Sequence, residues 1–430
     1  MKQQINRRQF LKTTAASAVA LSALDISRFA HAAGSGVFKV GMIGAGGRAA
    51  GAAMDAMNTG PDVRLVAIHD VFMDRVKGKL DVLKKAKPDQ VQVDDAHCFD
   101  GLDGYKGVIE ASDVVLIANA AKFHPLHTMA AIQAGKHVFC EKPHGIDPYG
   151  VKVLVKACEL AKQKNLCVVS GLHSRYDLGY QETIKRIHDG AIGDIVSIEE
   201  NFLRAPYGVY PPKPERTELQ NQIANQYHFT WLSGDDVPQS LVHNMDRATW
   251  ALKEVAPIKC HGIGGRSSQF REEFGNVFDH HSVIYHYENG VRAYAFCRTQ
   301  VGCYNEYSSL ILGTKGRCDL MRCRIEGETK WKYPGKAPEA HFYEHVKLFE
   351  ALRAGKVINN GDYMAKSTLM TVMGQISCYT GKEITWEQIN ASDFHFPPKP
   401  EDCRMDMEPP TKKGADGTYP VYVPGVTKLI

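Results

Sequence analysis

Short apolar runs separated by a segment of helical periodicity dominate the first third of the chain. The runs typical of buried strands lie at residues 37–43, 63–70, 112–120 and 137–140. Between the last two runs, residues 122–136 carry apolar side chains at helical spacing, and Gly135 is expected to end that helix. Alternating strands and helices predict a doubly wound parallel sheet, whose ligands bind at the carboxyl ends of the strands.

The second half shows a different pattern, in which apolar and polar residues alternate with the period of a half-buried strand. A strand-rich region starts at residues 190–204 and continues through residues 280–298 and 307–321, with a hairpin turn predicted at Asn289-Gly290. The chain is therefore predicted to be an α/β protein. An N-terminal Rossmann doubly wound parallel sheet is followed by a C-terminal α+β domain with an open, mostly antiparallel sheet.

Two helices and a proline-rich tail complete the chain. Residues 341–355 and 364–381 have amphipathic periodicity, and we expect both helices to pack against the second sheet. From Phe396 onward the chain is rich in proline, which predicts an extended arm over the body or a neighbouring subunit, with a frayed tail as the alternative. The predicted organisation is a signal peptide at 1–32, a Rossmann domain at 33–165, a substrate-binding α+β domain at 166–385 and the arm at 386–430.

The N-terminus has the composition of an export signal. Arg7 and Arg8 precede a short apolar region at residues 13–24, which is followed by the small-residue site Ala30-His31-Ala32. The paired arginines resemble the twin-arginine type of signal. The alternative is a membrane anchor, but the apolar region is shorter than the roughly 18 residues that a span needs. We therefore expect export to the periplasm, with no stable membrane insertion after cleavage.

Composition excludes several functional classes. The net charge of +4 over 430 residues includes no basic block, so a nucleic-acid partner is not expected. The 11 cysteines are scattered, without a Cys-x-x-Cys pair or a His and Cys cluster. Neither a disulfide framework nor a metal site is therefore predicted.

The first strand leads into a glycine-rich turn that suits a dinucleotide. Gly44 permits the tight turn, Gly46 lets the backbone approach a pyrophosphate, and Ala49 allows close packing of helix on strand. Asp70 ends the second strand, where a carboxylate would bind the ribose hydroxyls and repel a 2′-phosphate. The order of strand, helix, strand and acid favours NAD over NADP, and the alternative is a glycine-rich turn without a ligand.

The fourth run ends in Glu141-Lys142-Pro143, and with the preceding segment it resembles a known family. Residues 114–143, VVLIANAAKFHPLHTMAAIQAGKHVFCEKP, are similar to the glucose–fructose oxidoreductase/inositol dehydrogenase (Gfo/Idh/MocA) family. The resemblance covers nearly all of residues 37–385. It implies that Lys142 lies beside the nicotinamide and the reacting hydroxyl, and that Pro143 follows a cis bond. One departure is Asn119-Ala120, where the family often has Thr-Pro.

The glycine-rich turn with Asp70 and the family resemblance together give one set of cofactor-binding candidates. They are Gly44, Gly46, Gly47, Arg48, Ala49, Asp70, Asn119, His124, Glu141 and Lys142.

A predicted helix after Pro238 carries the second catalytic candidate. Gln239, His243 and Asp246 fall on one face by their spacing. The resemblance implies that His243 is the acid/base for the substrate hydroxyl, and that Gln239 stands where the family has Asp. The alternative is a structural helix histidine. Lys142 and His243 are therefore the predicted catalytic residues.

Polar residues after the strand at 166–172 add substrate-binding candidates. His173, Arg175 and Tyr176 lie where loops at sheet ends concentrate binding groups, although a polar loop without a ligand is an equal alternative. Aromatic residues at 207–210 also suit a sugar ring. The predicted substrate-binding residues are His173, Arg175, Tyr176, Gln239 and Asp246.

The resemblance implies an NAD(P)-dependent oxidoreductase that acts on a hydroxyl of a sugar, cyclitol or glycoside. Export predicts a tightly bound cofactor, because no NAD(P)H pool exists outside the cytoplasm. One alternative is a redox-neutral NAD-dependent glycosidase, which works by oxidation, elimination and return of the hydride. Another is a non-catalytic sugar or cofactor sensor on the same fold. The expected partners are a small carbohydrate and further copies of the chain in a homo-oligomer.

Overall fold

The computed structural model describes residues 36–430, and the predicted export signal lies outside these residues. Two sheets organise this part of the chain, as predicted. None of the described helices is long and apolar enough to cross a membrane.

The first sheet has six parallel strands in the spatial order β3-β2-β1-β4-β5-β6. The strands are β1 Phe38–Ile43, β2 Val63–His69, β3 Cys98–Phe99, β4 Val114–Ile117, β5 His137–Cys140 and β6 Val168–Ser170. Their helices are α1 Gly47–Asn58, α2 Met73–Ala86, α3 Tyr105–Ala111, α4 His124–Gln133 and α5 Pro148–Gln163. Because helices cover both faces, β4 is buried along its whole length.

The second sheet has nine strands and is antiparallel except for the pair β7 and β10. The strands are β7 Ile195–Arg204, β8 Lys259–Gly265, β9 His280–His286, β10 Arg292–Thr299, β11 Glu306–Gly313, β12 Gly316–Asp319, β13 Arg324–Gly327, β14 Trp331–Lys332 and β15 Ile384–Thr385. Burial alternates along β9, so one face packs on the core and the other is more open. The predicted fold class is confirmed.

The remaining helices connect and cover the two sheets. They are α6 Leu178–His188, α7 Glu218–Ala224, α8 Thr230–Ser233, α9 Val242–Ala251, α10 Ala340–Arg353, α11 Gly361–Thr380 and α12 Trp386–Ala391. A π-helical turn at Val237–Leu241 leads directly into α9.

The prediction that two amphipathic helices pack against the second sheet is wrong for α10 and correct for the position of α11. Helix α10 packs against the Rossmann domain, where Leu348 and Phe349 are fully buried and Phe349 meets Phe38 with ring centroids 5.7 Å apart. Helix α11 does cover the second sheet, but it is buried almost all round because α5, α9 and β8 surround it. It therefore lacks the polar face of an amphipathic helix.

The C-terminal arm lies over the body of its own chain. Phe396 is 2% exposed, and its carbonyl accepts a hydrogen bond of 2.8 Å from the buried Lys122 amine. Tyr419 packs against Phe229 in the same apolar cluster. Because these aromatic side chains are buried, the arm is anchored and is not a frayed tail.

Candidate active site

A cavity of about 460 Å³ opens at the carboxyl ends of β1, β2 and β4. One wall is the turn Gly44–Arg48, together with Asp70 and Asn119. The opposite wall comes from residues 208–227, which belong to the connection between β7 and α8. This position is the one at which doubly wound sheets bind nucleotides.

The glycine-rich turn is shaped for close approach of a ligand. Gly44 has a φ of +99°, and a Cβ there would lie 2.8 Å from the Ala118 carbonyl oxygen, so only glycine fits. At Gly46 and Gly47 a Cβ would meet no atom within 4 Å, which leaves open space above the backbone. Ala49 is fully buried between α1 and the sheet. The turn therefore leaves the start of α1 open to a phosphate group.

Asp70 and Asn119 line the cavity on either side of that turn. The Asp70 carboxylate accepts hydrogen bonds from the backbone N–H groups of Ala45 at 2.9 Å and Phe72 at 3.2 Å. The side-chain carbonyl oxygen of Asn119 is buried and has no partner among the described residues. A buried unpaired acceptor costs roughly 1–3 kcal/mol, so a ligand donor there would be favoured. These features fit a dinucleotide.

Arg48 connects this turn to the segment that carries Lys142. Its guanidinium lies 3.1 Å from the Glu141 carboxylate and donates to Asp55 at 3.0 Å. Glu141 is buried, and its carboxylate also accepts from the Lys142 backbone N–H at 3.2 Å. Arg48 lines the cavity, whereas Glu141 does not, so Glu141 lies behind the wall and orients Arg48 and the Lys142 backbone.

The predicted cofactor residue His124 is fully buried and does not line the cavity. Its Nδ1 lies 2.8 Å from the Pro143 carbonyl oxygen and its Nε2 lies 3.0 Å from the Asn119 carbonyl oxygen. His124 thus joins the loop after β4 to the loop after β5. Burial lowers the pKa of His124 to about 4.

Lys142 follows the carboxyl end of β5 and reaches across to the second domain. The Lys142–Pro143 peptide bond is cis, as the resemblance implied. The Lys142 amine donates a hydrogen bond of 2.8 Å to the Gln239 carbonyl oxygen in the π-helical turn. The side chain is half-buried, so the amine remains accessible at the boundary of the two domains.

The segment before the π-helical turn is fixed by a buried carboxylate. Asp235 is 1% exposed with a φ of +70°, and its side chain accepts from the Phe278 backbone N–H at 2.8 Å and the Tyr379 hydroxyl at 2.7 Å. Gly234 packs against the loop that follows Lys142, because a Cβ there would lie 2.8 Å from the Ile146 Cβ. These contacts place the Gln239 carbonyl opposite Lys142.

The prediction that Gln239, His243 and Asp246 share one functional face is wrong. The π-helical turn adds a residue to the turn that holds Gln239, so α-helical spacing does not apply there. The Gln239 side chain instead donates to the Ser233 carbonyl oxygen at 3.0 Å. Asp246 is fully buried and points away from the cleft, into an ion pair with Arg175.

The rings of His243 and His173 meet, and Lys142 influences both of them electrostatically. Their ring centroids are 4.9 Å apart, and His173 also stacks on His341 at 4.0 Å. The pKa of His243 is lowered well below its ordinary value, first by burial and then by the positive charge of Lys142. The described residues offer no partner to the buried Nδ1 of His243 or of His173.

The structure gives Arg175 and Tyr176 contacts other than those predicted. Arg175 donates to Asp246 at 2.8 and 2.9 Å and to Glu254 at 2.6 Å, and its guanidinium lies over the Trp250 ring. The Tyr176 hydroxyl donates to the Asn360 side chain at 2.8 Å. Both residues therefore bond to other side chains of this chain and not to the predicted substrate position.

Sequence reasoning missed His341, Arg247 and Arg75. His341 lies in the first turn of α10, far along the chain from His173, and no local pattern connects the two. Arg247 is fully buried beneath the histidines, where it donates to the Tyr307 hydroxyl at 2.7 Å. Arg75 lines the cavity. Of the aromatic residues at 207–210, Tyr210 lines the nucleotide cavity, whereas Tyr207 stacks on Tyr227 and lies over Arg204.

The described residues contain no group of His, Cys, Asp or Glu side chains that would hold a metal ion.

Comparison with known proteins identifies the nucleotide-binding domain. Residues 38–171 match the model of the GFO_IDH_MocA family, an oxidoreductase family with an NAD-binding Rossmann fold. This match is to the Rossmann domain, and it agrees with the family resemblance noted from the sequence.

Individual relatives match over shorter parts of their length. Inositol 2-dehydrogenase of Klebsiella pneumoniae (strain 342) is 32% identical over 154 residues, which cover 35% of this chain and 39% of that protein. D-glucoside 3-dehydrogenase of Escherichia coli (strain K12) is 30% identical over 92 residues, 21% of this chain and 25% of that protein. The chain thus spans less than half the length of these curated relatives.

A solved levoglucosan dehydrogenase in complex with NADH and levoglucosan superimposes with a TM-score of 0.61. The alignment covers 81% of this chain and 99% of that chain at 17% identity. At this identity the likeness shows a shared fold, including the second sheet.

The buried histidines predict that the folded protein becomes less stable as the pH falls. Burial lowers the pKa of His124 to about 4 and that of His144 to about 3. The unfolded chain binds these protons near pH 6.5, so it binds more protons than the folded chain below that pH, and stability is lost as the pH falls. Each histidine contributes about 2 kcal/mol to the loss between pH 7 and pH 5.

We therefore expect denaturant unfolding to give a free energy at pH 5 several kcal/mol below that at pH 7. His144→Gln keeps side-chain partners for Ser170 and Thr368 and should flatten this dependence by about 2 kcal/mol. Equal stability at both pH values would contradict burial of neutral imidazoles.

Proposed function

We propose that the protein is an NAD-dependent oxidoreductase that acts on a hydroxyl group of a sugar, cyclitol or glycoside. The observation that carries this proposal is the position of Lys142. Its amine lies at the carboxyl end of a Rossmann strand, half-buried, held by the Gln239 carbonyl and close to His243. The names of the relatives, which act on inositol and a glucoside, support this substrate class.

The nucleotide cavity would hold the cofactor that accepts the hydride. The turn Gly44–Arg48 would hold the pyrophosphate, and Asp70 would hold the ribose that follows it. When bound, NAD accepts the hydride from the substrate carbon. A carboxylate at Asp70, already oriented by the Ala45 and Phe72 N–H groups, favours NAD over NADP because it repels a 2′-phosphate.

Lys142 and His243 have different roles at the substrate hydroxyl group. The Lys142 amine donates to the substrate oxygen and stabilises the negative charge that develops on it. His243 is kept neutral by burial and by the neighbouring positive charges, so its imidazole can accept a hydrogen bond from the hydroxyl group, although the same effects lower its basicity. Because the Gln239 carbonyl accepts from the same amine, it fixes the direction of Lys142 towards the domain boundary.

Replacement of Lys142 tests this assignment. Lys142→Ala should lower hydride transfer at least a hundredfold, the loss typical of removing one stabilising donor, while bound NAD is retained. Nicotinamide absorbance after addition of aldoses and glycosides measures the transfer, and the NAD content measures binding. Lys106→Ala, at an exposed lysine paired with Asp103, serves as the control. Full turnover by Lys142→Ala would disprove the role of Lys142.

A non-catalytic sensor is the second candidate function. The observation that favours it is the His243 Nδ1, which lacks a partner among the described residues and so has no carboxylate to stabilise an imidazolium. A sensor would bind NAD and sugars without forming NADH. The absorbance experiment described above is combined with calorimetry of sugar binding. Sugars that bind without any reduction of NAD would support the sensor.

We further propose that the cofactor is retained between cycles. Residues 205–228 form a strap, part of which lines the wall of the nucleotide cavity opposite the glycine-rich turn. The Asn225 side chain accepts from the Tyr210 N–H at 2.8 Å and donates to the Tyr210 carbonyl at 2.5 Å. Arg75 on α2 donates to the Ala224 carbonyl at 3.3 Å, which joins the strap to the Rossmann domain.

The C-terminal arm holds the strap from outside. Gln222 on α7 donates to the Thr411 carbonyl at 2.6 Å, and the Tyr419 hydroxyl donates to Glu218 on the same helix. Opening of the strap would therefore disturb the arm as well. A strap that is held on both sides would slow the release of a dinucleotide from the cavity.

Substitution of Asn225 tests retention of the cofactor. Asn225→Ala removes both bonds to Tyr210, and we expect NAD to dissociate at least tenfold faster, measured as NAD remaining after gel filtration. Asn289→Ala is the control, because Asn289 accepts a hydrogen bond from the Val291 N–H in a turn of the second sheet, outside the strap and the cavity. Equal NAD loss from both variants would argue against the strap.

We also propose export to the periplasm, on the basis of the Arg7-Arg8 pair and the apolar region that follows it. Replacing both arginines with lysine should leave most of the protein in the cytoplasm with its N-terminal segment uncleaved. Cell fractionation and N-terminal mass spectrometry measure this outcome. Unchanged delivery of processed protein to the periplasm would contradict a twin-arginine signal.

A further inference from the structure

Arg204 is the last residue of β7 and lies where the second sheet, the strap and the π-helical turn meet. Strand β7 pairs with β10 on one side and with β11 on the other, so the backbone of Arg204 is fixed within the sheet. The strap begins at the next residue. The Arg204 side chain is only 19% exposed, and its guanidinium has defined partners at its edge and on its face.

The edge of the guanidinium binds the start of the π-helical turn. Its Nη2 donates to the Asp236 carboxylate at 2.6 Å and to the Ser240 hydroxyl at 3.1 Å, and Ser240 donates to the same carboxylate oxygen at 2.7 Å. Asp236 is buried, and in the described part of the chain Arg204 is the one cation within ion-pair distance of it. A charge-assisted bond of this kind holds both partners firmly.

The same turn directs the proposed catalytic amine. Asp236 directly precedes the π-helical turn, and Ser240 lies within it. Gln239 lies between them, and its carbonyl accepts the hydrogen bond of 2.8 Å from Lys142. Because Arg204 bonds to a residue on each side of Gln239, it fixes the stretch of backbone that presents this carbonyl to Lys142.

The face of the guanidinium supports the strap. The Tyr207 ring lies over it, with 3.7 Å between the Arg204 Cζ and the ring centroid. Tyr207 in turn stacks on Tyr227, with centroids 4.0 Å apart and planes inclined by 18°. Tyr227 lines the nucleotide cavity. Since Tyr207 and Tyr227 lie near opposite ends of the strap, this stack brings both ends to Arg204.

We infer that Arg204 is a positioning residue that ties the direction of the Lys142 amine to the strap at the nucleotide cavity. This inference rests on the proposed function, in which Lys142 donates to the substrate oxygen. Stacking on Tyr207 holds the guanidinium in one plane, and that plane aims its edge at Asp236 and Ser240. A lysine would keep the charge but would have neither the planar edge nor the face.

Arg204→Lys tests the inference, because it keeps a positive charge beside the buried Asp236 carboxylate. Trace acetylation of the NAD-loaded protein with acetic anhydride, followed by peptide mass spectrometry, measures the reactivity of the Lys142 amine without requiring turnover. We expect Lys142 to be labelled about threefold faster in Arg204→Lys, because the Gln239 carbonyl no longer holds the amine in place.

Arg186→Lys is the matched control for this labelling. Arg186 also lies over an aromatic ring, that of Trp331 at 4.1 Å, and pairs with Glu182 at 2.7 Å, but on the surface of α6. Labelling of Lys142 should remain at the wild-type rate in this variant. An unchanged rate in Arg204→Lys, or an equal rise in Arg186→Lys, would overturn the inference.

Single-turnover kinetics at saturating NAD give the second readout. Hydride transfer should be about tenfold slower in Arg204→Lys, while calorimetry shows little change in sugar affinity, because a misplaced amine weakens the transition state more than the bound substrate. Faster labelling with an unchanged transfer rate would also overturn the inference. If the wild-type protein reduces NAD with no sugar, the proposed function fails, whereas the labelling still decides whether Arg204 positions Lys142.

Two variants of Tyr207 test the connection to the strap without altering the ion pair with Asp236. Tyr207→Leu removes the ring and should reproduce the faster labelling and the slower transfer of Arg204→Lys. Tyr207→Phe keeps the ring face and should recover most of both losses. Equal behaviour of the two variants would contradict support of the guanidinium by the strap.

Discussion

The hydrogen bond between the Lys142 amine and the Gln239 carbonyl is the contact on which the candidate site depends. It joins the end of a Rossmann strand to a π-helical turn of the second domain, and it directs the amine to the boundary between them. On one side, His124 connects the carbonyls of Asn119 and Pro143, so the loops after β4 and β5 keep a fixed separation. The position of Lys142 is therefore determined by the nucleotide-binding sheet itself.

On the other side of that contact, the second domain has its own buried support. Asp235 accepts hydrogen bonds from the Phe278 backbone and the Tyr379 hydroxyl, so two distant segments fix the turn that precedes Gln239. Gly234 brings this turn against the loop after Lys142 because any Cβ would clash with Ile146. A carboxylate that is buried and fully bonded favours one arrangement of the backbone over its alternatives. The site is thus rigid on both sides of the domain boundary.

The fold could be predicted from the sequence more completely than the candidate site. Apolar runs and the Gly44 turn predicted the first sheet because those patterns follow from local geometry, and the resemblance at 114–143 singled out Lys142. The π-helical turn at Val237–Leu241 shows no signal of its own, so the register of Gln239 was wrongly inferred from α-helical spacing. His341 and Arg247 became visible only in three dimensions, because tertiary packing alone brings them to His173 and His243. Long-range ion pairs such as Arg175 with Asp246 have the same origin.

The central claim is that a hydride moves from a sugar carbon to NAD held in this site. Mass spectrometry of the cofactor released after mixing the NAD-loaded protein with carbon-deuterated aldoses, uronates and glycosides tests it most directly. Transfer predicts deuterium on the nicotinamide ring with at least one sugar, and this label should be absent from Lys142→Ala. Cofactor that remains unlabelled with every sugar that binds would contradict the account.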